Sequence, residues 1–342
     1  MKKKHTKNRH HNSTKKITSV DVARLAGVSQ STVSRAFGTG NELTEETKKK
    51  VLKAAMELKY RPNAIARSLT SQNTNIVGIV MANAKSPFYS KTLDEFTIKL
   101  QKLGKQTLLF SVEKGRDIDE ILSHVLEYRV DGLVITSATI SSEMAEECAN
   151  IGTPVILFNR YATGTNVSAV CCDNVKGGRD VADYLLDRGY TQLAYIGGNP
   201  KSSTNIDRLK GFQERLQERG FSDLLIRNDE YSYESGYRIA KELILEGKKP
   251  EVIFCASDIV ALGAMDAAKH EFNLKTPEEI AIVGFDDIEM ASWPTYSLTT
   301  IQQPIEEMTE FAIDLLESKI KKMNTKCELK LFPGKLIKRG SA

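Results

Sequence analysis

Near residue 75 the hydrophobic pattern of this 342-residue chain changes period, and that change constrains the fold more than any other feature. Beyond it, apolar runs of strand length alternate with amphipathic stretches: IVGIVM from Ile76, TLLFSV from Thr107, GLVIT from Gly132, PVILFN from Pro154, AVCCD from Ala169, LAYIGG from Leu193, VIFCAS from Val252 and IAIVGFDD from Ile280. Near-continuous apolar strands separated by helical segments, such as Val175 to Arg188, imply parallel sheets covered on both faces. About eight such runs predict an α/β body of two doubly wound parallel-sheet lobes. Open sheets of this kind bind ligands beyond the carboxyl ends of their strands, so two lobes can face one another across a cleft.

Before residue 75 the pattern is helical and short. Thr18 or Ser19 can cap a helix through Ala26 that Gly27 ends; Ser29 caps a second through Phe37, and Thr44 caps a third through Leu58. A helix, a tight turn with glycine and a second helix form a helix-turn-helix signature. Val20, Ala23 and Leu25 are expected to pack with Val28, Val33, Phe37, Val51, Leu52, Ala55 and Leu58 as a small all-α core. The polar residues of the second helix then remain outside: Ser29, Gln30, Ser31, Thr32, Ser34 and Arg35. Solvated helix faces usually carry Glu and Lys, yet Asp and Glu are absent from Gly27 to Gly40. A DNA major groove suits this face better. Gln30 can pair with adenine and Arg35 with guanine, with Ser31 as a third base reader, while Ser29, Thr32 and Ser34 contact phosphates.

Charge supports a nucleic-acid partner. Met1 to Thr70 carries sixteen Lys and Arg against five Asp and Glu, and the remainder 32 against 39, so a basic head precedes a mildly acidic body. The stretch Lys2 to Lys16 has no apolar face, and no run approaches the ~20 apolar residues of a membrane span. With no apolar leader visible, a cytoplasmic location is expected. Cys148, Cys171, Cys172, Cys255 and Cys327 show no CxxC spacing and are expected as reduced thiols. The histidines of the first sixteen residues sit in a tail too polar to fold, so no metal site and no cofactor are expected.

The stretches ITSVDVARLAGVSQSTVSRAF and YRPNAIARSLTSQNTNIVGIV resemble the N-terminus of lactose-repressor-type (LacI/GalR) bacterial regulators. The resemblance continues through DGLVI, GYTQLAYIGG, RLKGF, ASDIVALGAM, VGFDDIEMA and LTTIQQP. It implies a homodimeric transcription factor on a near-palindromic operator, with a hinge helix joining the head to a body like periplasmic sugar-binding proteins. The segment boundaries so expected are a tail over 1–16, a head over 17–62, a hinge over 63–74 and a body over 75–342. The first lobe would comprise about 75–170 plus 304–328, and the second about 171–303 plus 329–340. Asn63 to Thr70 is shorter than the ~12 residues an isolated helix needs in water, so it should fold only with a partner. The resemblance places Asn63, Ala66 and Leu69 on DNA, with Leu69 wedged between base pairs in the minor groove.

Nothing in the body reads as catalytic. IGGNPKSST lacks the end of a phosphate loop, VKGGRD lacks GxGxxG spacing, and HExxH and GxSxG are missing. What stands at the strand ends is polar and aromatic: Asn159 and Arg160, Arg208, Asp258, and Asp286 with Asp287. Such residues suit a polyol, whose hydroxyls need planar donors and acceptors and whose faces need an apolar surface. The resemblance makes Asp286 and Arg208 regular effector contacts and Asn159, Thr204, Tyr231, Ser257 and Gln303 more variable ones. Phe88, Phe158 and Trp293 are candidate apolar walls. Plainer roles compete: Asp286 or Asp258 as helix caps, and Arg208 as the partner of a carboxylate. The expected function is a repressor whose operator affinity changes with a sugar-like effector. A transport-system binding protein would need export and no basic head, and a sugar-processing enzyme would need a catalytic pair.

Overall fold

The computed structural model describes residues 17–37, 43–61, 73–82, 86–112, 117–136, 141–247, 250–323 and 326–342. The tail expected over 1–16 and the hinge positions Asn63, Ala66 and Leu69 lie outside them. The chain divides into two units, Met1–Thr74 and Asn75–Ala342.

The described residues of the first unit form three helices, α1 (Ser19–Ala26), α2 (Gln30–Ala36) and α3 (Glu45–Glu57). Thr18 begins α1 by donating its backbone N–H and its hydroxyl to the Asp21 carboxylate, at 3.0 and 2.8 Å. Gly27 ends it at φ 65°, a conformation open to glycine without steric cost. Ser29 and Thr44 cap the other two helices by accepting from Thr32 N and Thr47 N. The core differs from expectation. Val22, Ala23, Val33, Ala36, Val51, Ala54 and Ala55 fill it, whereas Val20 and Leu25 are 45% and 47% exposed and Leu52 is half-buried. Helical phase explains this: Val22, Ala23 and Ala26 share one face, and Val20 and Leu25 fall to its flanks.

The second unit holds two six-stranded sheets. The first lobe contains β1 (Ile76–Met81), β2 (Gln106–Ser111), β3 (Gly132–Thr136), β4 (Val155–Phe158), β5 (Ser168–Cys172) and β11 (Leu329–Phe332), ordered β11-β5-β4-β3-β1-β2 and wholly parallel. Its helices are α4 (Pro87–Lys102), α5 (Ile118–Glu127), α6 (Ser142–Asn150) and α11 (Ile305–Ile320). The second lobe contains β6 (Leu193–Gly197), β7 (Leu224–Asn228), β8 (Val252–Cys255), β9 (Ala281–Asp286), β10 (Thr299–Gln302) and β12 (Lys335–Ile337), in the order β12-β10-β9-β8-β6-β7. Only β12 runs antiparallel to its neighbour there. Its helices are α7 (Asn174–Leu186), α8 (Ser203–Glu218), α9 (Tyr233–Leu245) and α10 (Asp258–Phe272).

Two lobe boundaries are corrected. Residues 329–332 belong to the first lobe, because β11 covers the outer edge of β5, with Ala169 N donating to Glu328 O at 2.9 Å and Asp173 N to Phe332 O at 2.7 Å. The expected break at residue 170 would cut β5, which lies entirely in that sheet. The chain therefore passes between lobes after Cys172, after Gln302 and after Phe332. At the last passage a Cβ on Gly334 would lie 2.6 Å from Ile301 Cγ2, so only glycine lets these strands approach so closely. In the second lobe α7 and α8 are as close: a Cβ on Gly211 would lie 2.0 Å from the Val175 carbonyl oxygen.

Candidate functional sites: an interlobe cleft and an exposed helix

The cleft forms where strand ends meet helix starts. Pro87, Phe88 and Tyr89 open α4, and Asn159 and Arg160 follow β4 on the first lobe. Facing them, Thr204 and Arg208 come from α8, Tyr231 follows β7, Ser257 and Ile259 start α10, and Asp286 ends β9 with Ile288 beyond it. These residues enclose a cavity of only about 40 Å³, so the two walls of the cleft stand close together.

Arg208 is the most constrained of them. Its side chain is 2% exposed; Nε donates to Asn174 Oδ1 at 2.8 Å, Nη1 donates to the Ala256 carbonyl, and Nη2 stands 3.4 Å from Asp286 Oδ1. The guanidinium carbon lies 3.7 Å from the centroid of the Phe285 ring, a desolvated cation–π contact. Asp286 also accepts from Gln303 Nε2 at 2.7 Å. Burial pushes the Asp286 carboxyl up to about 6, against the opposing pull of Arg208. Across the cleft, Asn159 Nδ2 donates to Tyr89 OH at 3.1 Å, while on the Arg208 side Tyr231 OH lies 3.1 Å from Thr204 Oγ1 and 3.2 Å from Ser202 Oγ. Asn159, Asp286 and Asp287 hold φ at 66°, 126° and 55°, so both strand ends bend through conformations that cost non-glycine residues energy.

Four lining atoms are buried without a hydrogen-bond partner: Asn159 Oδ1, Arg160 Nε, Arg208 Nη2 and Ser257 Oγ. Gln303 Oε1, just behind Asp286, is a fifth. Buried polar groups are almost always satisfied, so their concentration here marks a place where an outside molecule supplies partners.

Of the candidate residues, the structure brings Phe88, Asn159, Thr204, Arg208, Tyr231, Ser257 and Asp286 to one cleft. Gln303 supports Asp286 from behind. Three placements are corrected. Phe158 is fully buried, its ring centroid 5.0 Å from that of Phe96, because it faces the core side of β4. Trp293 is 47% exposed and lines no part of the cleft; it closes a 3₁₀ turn, Glu289–Ser292, on the lobe surface. Asp258 is fully buried behind the cleft, accepting from Thr300 Oγ1 at 2.5 Å and from Ile288 N at 2.9 Å. Burial and the neighbouring Asp286 push its carboxyl up to about 8. Nor does it cap α10, where Ser257 is the capping residue. Sequence reasoning missed Tyr89; its place beside Phe88 in the first turn of a helix that follows a strand was the available signal.

In the first unit, Ser29, Gln30, Ser31, Ser34 and Arg35 are exposed and Thr32 is half-buried. Their contacts are local: Ser29 Oγ lies 2.8 Å from both Ser31 Oγ and Thr32 Oγ1, Gln30 Nε2 donates to Ser19 Oγ at 3.0 Å, and Arg35 Nε donates to Ser31 O at 3.4 Å. Exposed hydrogen bonds of this kind exchange readily for others. Among the described residues no group of three or more His, Cys, Asp or Glu is placed to hold a metal ion, and no helix is long and apolar enough to cross a membrane.

A helix-turn-helix unit ahead of a two-lobed body whose interlobe cleft gathers buried polar atoms without hydrogen-bond partners defines a ligand-sensing DNA-binding regulator. Comparison with known proteins makes the class specific. Residues 18–63 match the model of bacterial regulatory proteins of the lacI family, and residues 74–339 match that of periplasmic binding proteins and the sugar binding domain of the LacI family. The chain belongs to the LacI family of transcriptional regulators. It is 31% identical over 329 residues to the ribose operon repressor of Escherichia coli K12, covering 95% of this chain and 99% of that one. Among solved structures, the lac repressor dimer bound to operator and the anti-inducer ONPF superposes with a TM-score of 0.86 at 26% identity, covering 96% of this chain and 99% of the other. The complex of the regulator CelR with cellobiose gives 0.73 at 27%, covering 95% and 100%.

Proposed function

We propose that the protein is a cytoplasmic repressor that binds a near-palindromic operator as a homodimer and changes its operator affinity when a small sugar-like effector occupies the interlobe cleft. Gln30, Ser31 and Arg35 read bases in the major groove, while Ser29, Thr32 and Ser34 fix the helix on phosphates. Asn63, Ala66 and Leu69 form the hinge contacts, with Leu69 in the minor groove. Arg208 and Asp286 hold hydroxyls of the effector, Asn159, Thr204, Tyr231 and Ser257 complete its polar shell, and Phe88 offers an apolar wall. Binding at the cleft biases how the lobes close, and linkage carries that bias to the DNA sites. The reading involves no catalytic turnover and no metal or cofactor.

The observation that carries it is the set of buried atoms without a hydrogen-bond partner gathered at the cleft, Asn159 Oδ1, Arg160 Nε, Arg208 Nη2 and Ser257 Oγ. The test is fluorescence anisotropy of the purified full-length protein on DNA from upstream of its own gene, with and without sugars and sugar derivatives. Operator affinity should change several-fold with one of them, and Asp286→Ala should bring that change down to about onefold. An Asp286→Ala protein that still responds fully would remove this carboxylate from the effector site.

A further inference from the structure

The cleft is unbalanced in charge. Two guanidiniums line it, Arg160 and Arg208, against the single carboxylate of Asp286. Asp286 is already engaged by Arg208 and Gln303. Arg160 has no carboxylate partner among the described residues; its guanidinium carbon lies 6.0 Å from the centroid of the Tyr231 ring. Its Nε is nevertheless shut off from solvent and unpartnered.

The backbone adds to the imbalance. Helices α4, α8 and α10 all point their N-termini at the cleft, each contributing a lining residue from its first turn: Phe88, Thr204 and Ile259. The N-cap side chains of α4 and α10, Ser86 and Ser257, make no capping bond, so first-turn N–H groups there keep their donor capacity. Asp258, next to the cleft in sequence, does not offset this. Its carboxyl is fully buried and turned to Thr300 and Ile288, away from the cleft, and burial and Asp286 push it up to about 8.

We infer that the effector is an anionic sugar derivative, a polyhydroxylated ring bearing one phosphate or carboxylate, with its anionic group against Arg160 and its ring hydroxyls against the Arg208–Asp286 pair. The inference rests on the reading of this cleft as the effector site. A neutral sugar would leave the Arg160 charge desolvated and unpaired as the lobes close, whereas an oxyanion accepts two parallel hydrogen bonds from the guanidinium fork. Ser257 Oγ and Asn159 Oδ1, 3% and 4% exposed as residues, remain for the hydroxyls.

Calorimetric titration of the full-length protein tests this with glucose 6-phosphate, ribose 5-phosphate, glucuronate and gluconate, alongside neutral glucose and ribose. At least one anionic compound should bind at least about tenfold tighter than its neutral parent, and more weakly as NaCl is raised. Whether the phosphates or the acids bind identifies the group. Arg160→Gln should lose that preference about tenfold, while Arg160→Lys, which keeps the charge, retains most of it; thermal melting of both variants excludes misfolding as the cause. A neutral parent that binds as tightly as its anionic counterpart, unchanged anion affinity in Arg160→Gln, or no binding by any anionic compound would each overturn the inference. Operator anisotropy on the same panel separates the two claims. A neutral sugar that shifts operator affinity overturns the anionic assignment and leaves the sensor standing, whereas operator binding indifferent to every compound counts against both.

Discussion

The second-lobe wall of the cleft holds Arg208 by Asn174, the Ala256 carbonyl and the Phe285 ring, and Asp286 by Gln303, before any ligand arrives. Among the described residues, one side-chain bond, Asn159 to Tyr89, fixes the polar residues of the first-lobe wall, and Arg160 is held there by a cation–π contact with the Tyr231 ring 6.0 Å away. A wall whose rotamers are already locked loses little entropy on binding; one with open valences orders only when a ligand fills them. In the proposed effector site the second lobe is therefore the platform and the first lobe the part that closes.

That contrast is broken or sharpened most strongly by removing the two arginines in turn. Arg208→Met leaves Asp286 without its cation and strips donors from Asn174 and the Ala256 carbonyl, so it should destabilise the body by about 3 kcal/mol or more in urea unfolding. Arg160→Met removes a side chain without a polar partner among the described residues and should change stability by about 0.5 kcal/mol or less. Equal losses would refute the contrast. Next in size, Gly211→Ala drives a Cβ into the Val175 carbonyl and must separate α7 from α8, the helix that carries Arg208. A loss of about 1 to 3 kcal/mol is expected, with effector affinity falling alongside.

The platform should also respond to pH. Asp258 has a folded-state pKa near 8 against an ordinary value of 3.8, so between these limits the folded state binds more protons than the unfolded one. Its contribution to stability is full below pH 4 and is lost as pH rises toward 8. The urea midpoint of the body should therefore carry a falling component from pH 5 to pH 8 that Asp258→Asn removes. A variant whose slope matches the parent's would place the titration elsewhere.

Legibility in the sequence followed the length of the apolar run. Strands with uninterrupted apolar runs, such as Ile76–Met81 and Ala281–Asp286, announce themselves because they are almost wholly buried. Leu224–Asn228 and Leu329–Phe332 do not. They form sheet edges, where one side meets solvent and the apolar run is short or broken by a charged residue. The same limit divides the cleft. Arg208 and Asp286 stand out because charges at strand and helix ends need a reason, while Phe158 and Trp293 were misplaced because an aromatic residue does not declare which side of a strand or turn it will occupy. Asp258 was misplaced for a subtler reason: its partner Thr300 is 42 residues away, and no local pattern announces a bond that only the sheet creates.

The smallest expected effect bears most directly on closure. Tyr161, on the first lobe, donates its backbone N–H to Ser203 Oγ at 3.2 Å and its hydroxyl to Asp207 Oδ1 at 3.1 Å, both on α8 of the second lobe. This contact joins the lobes without a ligand, next to the side chain that the second lobe holds most firmly. Burial raises the Asp207 carboxyl from its usual range, and the Tyr161 bond works against that rise. Tyr161→Phe keeps the ring and deletes only the hydroxyl, so packing survives and about 1 kcal/mol of lobe-to-lobe attraction is lost. Effector affinity should weaken about three- to fivefold, by the same amount for every compound that binds, since the lost term belongs to closure and not to the ligand. A larger loss for one compound than for another would show that Tyr161 reads the ligand itself; no loss at all would leave closure to Asn159 and Arg160, making the first-lobe wall even more dependent on its occupant.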